Sequence, residues 1–551
     1  MSDDIEATVP LLHKGNEKDR GTGKRERSRV ALRILVAVAG LVVLGPFLHC
    51  HLTKVNGAVD WDRVSHELEA LRTEWHVPGM AVGVVHNGQL VYSEGFGARN
   101  EQGDPVDADT LFEIGSTTKA FTSFAVGILV DEGKLDWETP VTSLYPMQFK
   151  DPVANASANL IDIMSHRTGL ANHFFLTFTW RTDAELLDKI QHLDSFAPFR
   201  DQFHYNNNMF TLAGNIAGKA SGLGWEQLVA ERILKPLNMT RTFTDPLLLQ
   251  NAENHARGFG SAGYVYGYNE TFPVESSKPA GSMVSTVNDL AKWLTLINNN
   301  GTLPDGVTLI SGKQFDTIVT PHITLPNNFP TGGLVRDISY GLGWMIKQYR
   351  DRTCIEHGGG TYGYRSQLTT FPQDSLAVIV LTNQADTPLP DVVVPLVTDR
   401  ILFPRAWSLW NMFLKAITLL QNAAAQAARD QVIRTRHKNT QPTAALAEYT
   451  GIYRNPGYGN LVIRAFEKDK LVAELQGTDG WDSGLKNMVA THWEFDRFGM
   501  VEIQKFLYND SAYPLLFLDF AILSEGESVF VESVAVPLEP ALEPIVFERV
   551  I

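Results

Sequence analysis

The chain has 551 residues, room for two or three domains at roughly 100–200 residues each. Hydrophobic residues make up 44% and charged residues 20%, the balance of a globular protein and not of a disordered one. A formal net charge of −15 argues against a nucleic-acid partner, which calls for a basic surface, and the two cysteines, Cys50 and Cys354, leave no disulfide framework and no zinc-spaced cluster, so neither metal nor cofactor is expected.

Residues 1–29 are polar and read as a disordered cytosolic tail. Residues 30–50 read as a single transmembrane anchor. Ile34 to Leu48 carries no charge, no A-x-A-like cleavage site follows, and Arg33 sits where its stem can snorkel to the headgroups. A cleaved signal peptide is the alternative. Lys24, Arg25, Arg27, Arg29 and Arg33 precede the run, and only Lys54 follows it closely. The positive-inside rule therefore predicts a cytosolic N-terminus and a body that is lumenal or extracellular. In that topology the sequons at Asn155, Asn238, Asn269, Asn300 and Asn509 are glycosylation candidates.

Beyond Val59 the elements follow in order. Gly79 to Val85 is a β-like apolar run, Asn87-Gly88 a hairpin turn, and Leu90-Val91-Tyr92 the return strand. Ser116 to Leu135 predicts a buried helix, with Phe121, Phe124, Ala125, Ile128 and Leu129 at helical spacing and Gly133 closing it. Asp162–Ser165, Trp225–Leu234 and Val287–Ile297 also read as helical; Tyr340–Ile346, Gln367–Phe371 and Leu376–Leu381 read as strands. The expected fold is α+β, three layers with an antiparallel sheet. Residues 404–443 read as a helical linker, its segment Trp407 to Arg429 either packed on the body or resting on a membrane surface. Residues 444–551 read as a small all-β, barrel-like domain of short strands and turns.

Three short motifs occur in order: Ser116-Thr117-Thr118-Lys119, Tyr205-Asn206-Asn207 and His357-Gly358-Gly359. Each alone is a weak signal, and Ser483-Gly484-Leu485-Lys486 is a decoy for the first. Ser116 differs in opening a helix directly after Gly115. A serine there meets unpaired backbone N–H groups and the positive end of the helix dipole, which favour a developing oxyanion or alkoxide. Lys119 projects one turn on from the same face and can accept or lend a proton. Tyr205 can share that proton, and Asn207 can orient Lys119 or a substrate carbonyl. His166 reads as a structural residue at a helix end, and Cys354 is not expected to be a nucleophile, since no activating partner stands beside it.

These words, with "LFEIGSTTKAFTS", "LIDIMSHRTGL", "PAGSMVSTVNDLAKWL" and "HGGGTYGYRS" around them, resemble the serine β-lactamase-related superfamily. That group includes penicillin-binding proteins, class C β-lactamases, D-aminopeptidases, family VIII esterases and some acyltransferases. The likeness runs from about Val59 to Asp386, within a catalytic domain expected over 59–403. It implies Ser116 as nucleophile, Lys119 as its activator, and Tyr205 and Asn207 as the second motif. It further implies that His357-Gly358-Gly359 stands on a strand where many relatives carry Lys-Thr-Gly, and that the N–H of Gly360 joins that of Ser116 as the oxyanion hole. The expected activity is hydrolysis of an ester or amide, in a small molecule or a peptide, through an acyl-enzyme. Acyl transfer on the same scaffold, or a non-catalytic binding or assembly role, are the alternatives. No E-x-x-L-N follows the second motif, so deacylation as in class A β-lactamases is not expected. An imidazole in place of lysine at 357 makes charge there a matter of pH, with either the cationic or the neutral form as the working one.

Overall fold

The computed structural model describes residues 59–550, apart from 181, 261, 262, 264, 267–275, 327–332, 405–409, 477–487, 503–515, 526 and 527. The predicted tail and anchor, the sequons at Asn269 and Asn509, and the decoy at Ser483 lie outside the described residues. Among the described residues no helix is long and apolar enough to cross a membrane.

Asn87 and Gly88 take left-handed dihedrals, φ 52° and 74°, and so turn β1 (Gly79–His86) into β2 (Gln89–Gly97). A short pair, β3 (Phe112–Glu113) with β4 (Val284–Ser285), stands apart from the main sheet. The main sheet continues with β5 (Ile323–Thr324), β6 (Val335–Tyr340), β7 (Met345–Tyr349), β8 (Arg352–Thr361), β9 (Tyr364–Phe371) and β10 (Leu376–Thr382). Its eight strands lie in the order β2-β1-β10-β9-β8-β7-β6-β5, every neighbour antiparallel. The expected strand over Tyr340–Ile346 is instead the corner between β6 and β7. Gly343 there has φ 75°, and the Gly341 N–H donates to the Trp344 carbonyl at 2.8 Å, so the chain reverses where a continuous apolar run suggested extension.

Both faces of the sheet are covered. On one face Val82, Val84, Val378 and Val380 pack against α1 (Trp61–Glu74) and, later in the chain, α5 (Leu389–Leu402). On the other face Ala81, Val85, Ile379 and Leu381 pack against α4 (Val287–Asn298) and share one hydrophobic core with α2 (Thr118–Asp131) and α3 (Asn207–Ser221). Burial from both sides is why β10 reads as an unbroken apolar run and not as an alternation. The helix α2 is buried from Thr118 to Leu129, with Trp293 of α4 stacked on Phe121 at 4.1 Å and edge-on to Phe124 at 5.2 Å. At the start of α3 the Asn206 side chain accepts the Met209 N–H at 3.2 Å, and left-handed Gly222 ends the helix.

Helix α6 (Trp410–Thr435) touches the body at its start. Trp410 and Leu414 are buried, Trp75 donates its indole N–H to Asn411 at 2.9 Å, and Leu419 and Leu420 are exposed. Beyond it, strands β11 (Gly451–Asn455), β12 (Gly459–Phe466), β13 (Lys470–Gln476), β14 (Met488–Glu494), β15 (Arg497–Glu502), β16 (Leu516–Glu525), β17 (Ser528–Val536) and β18 (Ile545–Arg549) close into a barrel. Closure leaves the barrel without a sheet edge, and Leu461, Ile463, Leu471, Ala473, Leu475 and Phe547 are among its buried residues. The architecture is thus an α+β domain followed by an eight-stranded β-barrel.

Candidate active site

Ser116 lies in a 3-10 turn, Gly115–Thr117, that runs into α2. Gly115 has φ 51°, and a Cβ at that position would come within 2.7 Å of the Gly360 backbone nitrogen. Glycine is therefore required there twice, by conformation and by the approach of β8. Gly359 is constrained in the same way, since a Cβ on it would sit 2.0 Å from the Ile114 carbonyl oxygen. Ser366 of β9 donates to that same carbonyl at 2.7 Å, and the Met283 N–H is held by Thr118 at 3.1 Å. The Ser116 turn is clamped between β8, β9 and the end of β4.

Lys119 is fully buried. Its ammonium donates to Ser116 Oγ at 3.1 Å, to Asn207 Oδ1 at 2.7 Å and to the Ala280 carbonyl at 2.8 Å. Three donors meet three acceptors, which is how a cation can be held out of water. The nitrogen also lies 4.6 Å from the centroid of the Tyr205 ring. Ser116, Lys119, Tyr205 and Asn207, separated by up to 91 positions in sequence, therefore converge at one point. The Ala280 carbonyl was not singled out from the sequence, although it lies inside the quoted word "PAGSMV". A backbone acceptor carries no side-chain signature.

His357 sits on the same face of the sheet, its ring 6.4 Å from that of Tyr205. It is 3% exposed. Nδ1 is 2.6 Å from the Gly358 carbonyl, which can only accept, so Nδ1 carries the proton and Nε2 accepts the Tyr340 hydroxyl at 2.7 Å. Burial, reinforced by the nearby Lys119 ammonium, pushes this imidazole down to about 3. Of the two forms left open by the sequence, the neutral one is the form the structure holds. His166, at φ 60° after a short helix, is also buried. It accepts the Asn206 N–H at 3.1 Å and packs 4.4 Å from Tyr205, and burial lowers it well below the ordinary histidine range. Cys354 points to the opposite face of β8 from His357, by strand alternation, and donates to Glu356 at 3.6 Å. A Cys–His pair is geometrically impossible there.

Two further residues frame the site. Glu113, just before the Ser116 turn, is buried and its carboxyl is pushed up to about 7 by desolvation. Asn172 accepts the Asn207 N–H at 3.1 Å. Beside Tyr205, Gly358 and Gly359 opens a cavity of about 420 Å³ whose walls include Phe196, Phe203, Leu325 and Pro326, and whose lining extends to Trp410 and Leu414. Strand β7 pairs with β8 only over Arg352–Glu356, so the stretch from His357 to Thr361 pairs with β9 alone among the described strands. Of the sequons, Asn238 and Asn300 are exposed at left-handed turns, and Asn155 is half-buried with its side-chain oxygen accepting the Phe149 N–H at 2.9 Å.

A family model described as Beta-lactamase matches residues 64–399. Over 427 residues the chain is 29% identical to the unguisins hydrolase ungD' of Aspergillus campestris, covering 72% of this chain and 76% of that protein. It is 28% identical over 362 residues to a beta-lactamase of Escherichia coli, covering 59% of this chain and 88% of that one. Penicillin-binding protein 4 of Amycolatopsis lactamdurans is 25% identical over 348 residues, with 61% and 86% covered. Among solved structures, the octameric penicillin-binding protein homologue from Pyrococcus abyssi superposes with a TM-score of 0.53 at 19% identity, across 89% of this chain and all of that one, a likeness of fold.

Proposed function

Because this chain belongs to the beta-lactamase family of serine hydrolases, we propose that it cleaves an amide or ester through an acyl-enzyme on Ser116. The observation that carries this reading is the buried Lys119 ammonium held 3.1 Å from Ser116 Oγ and 2.7 Å from Asn207. With the Lys119–Tyr205 pair one proton short, as a Lys119 amine or as a Tyr205 phenolate beside the Lys119 ammonium, Ser116 Oγ attacks the substrate carbonyl, its proton passes to that pair, and the C–O bond to serine forms. The carbonyl oxygen becomes an oxyanion and takes the N–H groups of Ser116 and Gly360. The pair returns the proton to the departing amine or alcohol as the scissile bond breaks. A water then repeats the cycle in reverse and frees the acid and Ser116. Asn207 and the Ala280 carbonyl fix Lys119 and so the proton's path.

For the substrate, the reading is a peptide amide with apolar side chains. Two observations support it. The cavity beside Tyr205 carries Phe196, Phe203, Leu325 and Pro326 on its walls, together with the polar Asp201, Gln202 and Arg365. The stretch from His357 to Thr361, paired on one side only among the described strands, offers an edge to an extended backbone, the usual way a peptide adds to a sheet. A neutral His357 presents no cation to a carboxylate, in contrast to the lysine of Lys-Thr-Gly relatives, and Arg365 beside Gly360 is the cation that lines the cavity there.

The test has two parts. A fluorophosphonate probe is applied and the adduct mapped by mass spectrometry; the expected site is Ser116, and labelling elsewhere, or full activity in Ser116→Ala, refutes the mechanism. The protein is then assayed on apolar peptide amides, p-nitrophenyl esters, D-amino-acid amides and a chromogenic cephalosporin. Turnover of the cephalosporin above the peptides would overturn the substrate reading.

A further inference from the structure

The barrel meets the active domain around His173, and beside it Trp180 donates its indole N–H to the Gly457 carbonyl of the β11–β12 turn at 3.0 Å. His173, at φ 47° and fully buried, is held by two loops at the same end of the barrel. From the β17–β18 loop, Glu539 accepts the His173 N–H at 2.6 Å. From the β11–β12 turn, the Tyr458 hydroxyl lies 2.8 Å from His173 Nδ1. Nε2 lies 3.2 Å from the Asp194 carbonyl, which can only accept, so Nε2 carries the proton and Tyr458 donates. Glu539 and Tyr458 are themselves buried. Directly before His173, Asn172 accepts the Asn207 N–H at 3.1 Å through its side chain and the Asn208 amide at 2.7 Å through its carbonyl. Asn207 in turn accepts Lys119 at 2.7 Å. Barrel to lysine is thus three hydrogen bonds, Glu539 to His173, Asn172 to Asn207 and Asn207 to Lys119, linked by the peptide bond between Asn172 and His173.

We propose that the C-terminal barrel is a positioning domain for catalysis, with Tyr458 and Glu539 fixing His173, and through Asn172 and Asn207 the placement of Lys119 beside Ser116. The geometry favours this over a barrel that is merely tethered. A buried carboxylate aimed at a single backbone N–H of the other domain is costly to keep unless it restrains something, and what it restrains is the residue next to Asn172. Burial lowers His173 to about 4, so the ring stays a neutral acceptor for Tyr458 across the physiological range. The inference rests on the serine-hydrolase reading.

The experiment measures the rate of fluorophosphonate labelling at Ser116 by intact mass, resolved into a maximal rate and a probe half-saturation, in the whole chain. Glu539→Ala and Tyr458→Phe are expected to lower the maximal rate about ten- to a hundredfold, since small displacements of catalytic groups cost that much, with half-saturation unchanged. Glu539→Gln keeps an acceptor oxygen for the His173 N–H and should retain most of the rate. Asp519→Ala removes the Arg497–Asp519 ion pair within the barrel, away from His173, and is expected to lower the melting temperature without slowing labelling. Equal labelling in wild type, Glu539→Ala and Tyr458→Phe overturns the proposal. So does a loss that Asp519→Ala reproduces or that Glu539→Gln fails to relieve. Absence of Ser116 labelling in the wild type would instead strike the serine-hydrolase reading itself.

Discussion

At the scale of single residues the site is a problem in holding charge. Lys119 is buried and meets three acceptors, so removing one of them leaves an ammonium under-solvated beside the nucleophile. Asn207→Ala should therefore lower kcat about ten- to a hundredfold, by misplacing Lys119, while KM changes little. Lys119→Met should cost more, about a thousandfold or greater, because one member of the proton-transferring Lys119–Tyr205 pair is lost. Steady-state kinetics on one ester separates the two. Charge also decides His357. As a neutral ring near 3 it does not titrate between pH 5 and 9, so kcat/KM on an uncharged ester should show no inflection that His357→Gln removes. His357→Lys would set a second cation near Lys119 and should lower kcat/KM on that ester.

The same buried groups make stability depend on pH, in opposite senses. His173, near 4 in the fold and about 6.5 when unfolded, stays unprotonated in the native state where the unfolded chain binds a proton. Its share of stability is complete above pH 6.5 and is lost as pH falls from 6.5 to 4, on the order of 3 kcal/mol in all. His357 and His166 act in the same direction. Glu113 acts in the other: near 7 in the fold against 4.5 as its ordinary value, it keeps a proton that the unfolded chain has released. Its share is complete below 4.5 and is lost as pH rises from 4.5 to 7. Glu113→Gln should thus gain on the wild type across that window, and thermal melts at pH 4.5 and 7 check it; a constant difference in Tm would contradict the buried-acid account.

At the scale of elements, the approach of β8 to the Ser116 turn is what brings the Gly360 backbone next to that turn, where the proposed oxyanion hole lies. Gly359→Ala would drive a methyl into the Ile114 carbonyl, 2.0 Å from the ideal Cβ, so β8 must retreat from Ser116. Expected is a fall in kcat of about a hundredfold or more, the cost of a misplaced oxyanion donor, with a comparatively small change in Tm. Behind the turn, Trp293 is buried against Phe121 and Phe124 on α2. Trp293→Ala should destabilise by about 3–5 kcal/mol, read from denaturant unfolding, by leaving a cavity under the helix that carries Ser116 and Lys119.

At the scale of the whole molecule, the anchor predicted from the basic flank before Ile34 remains a proposal. Helix α1 begins at Trp61 and packs with the start of α6 through Trp75–Asn411 and Glu74–Lys415. We expect a protein resistant to carbonate extraction and sensitive to glycosidase in its native host, with Asn238 and Asn300 as the accessible sequons. Release by carbonate together with glycosidase insensitivity would refute that topology.

Much of this was written locally. The Asn87-Gly88 turn, the buried helix after Ser116, the continuous apolar β10 and the order of the three motifs follow from dihedral preference, side-chain period and spacing, which act within a few residues. The motifs also singled out Ser116, Lys119, Tyr205, Asn207 and His357, and the structure brings them together. Tertiary packing decided the rest. The Tyr340–Ile346 run became a corner because a glycine took a left-handed turn there, which hydrophobicity does not report. The charge state of His357 depends on its burial beside Lys119 and on the Tyr340 hydroxyl, neither visible at position 357. The Ala280 carbonyl, Asn172 and the barrel's hold on His173 arise from backbone groups and side chains as many as 366 positions apart. Such contacts are selected by the closed fold, since only folding sets which donor faces which acceptor, and no local pattern encodes them.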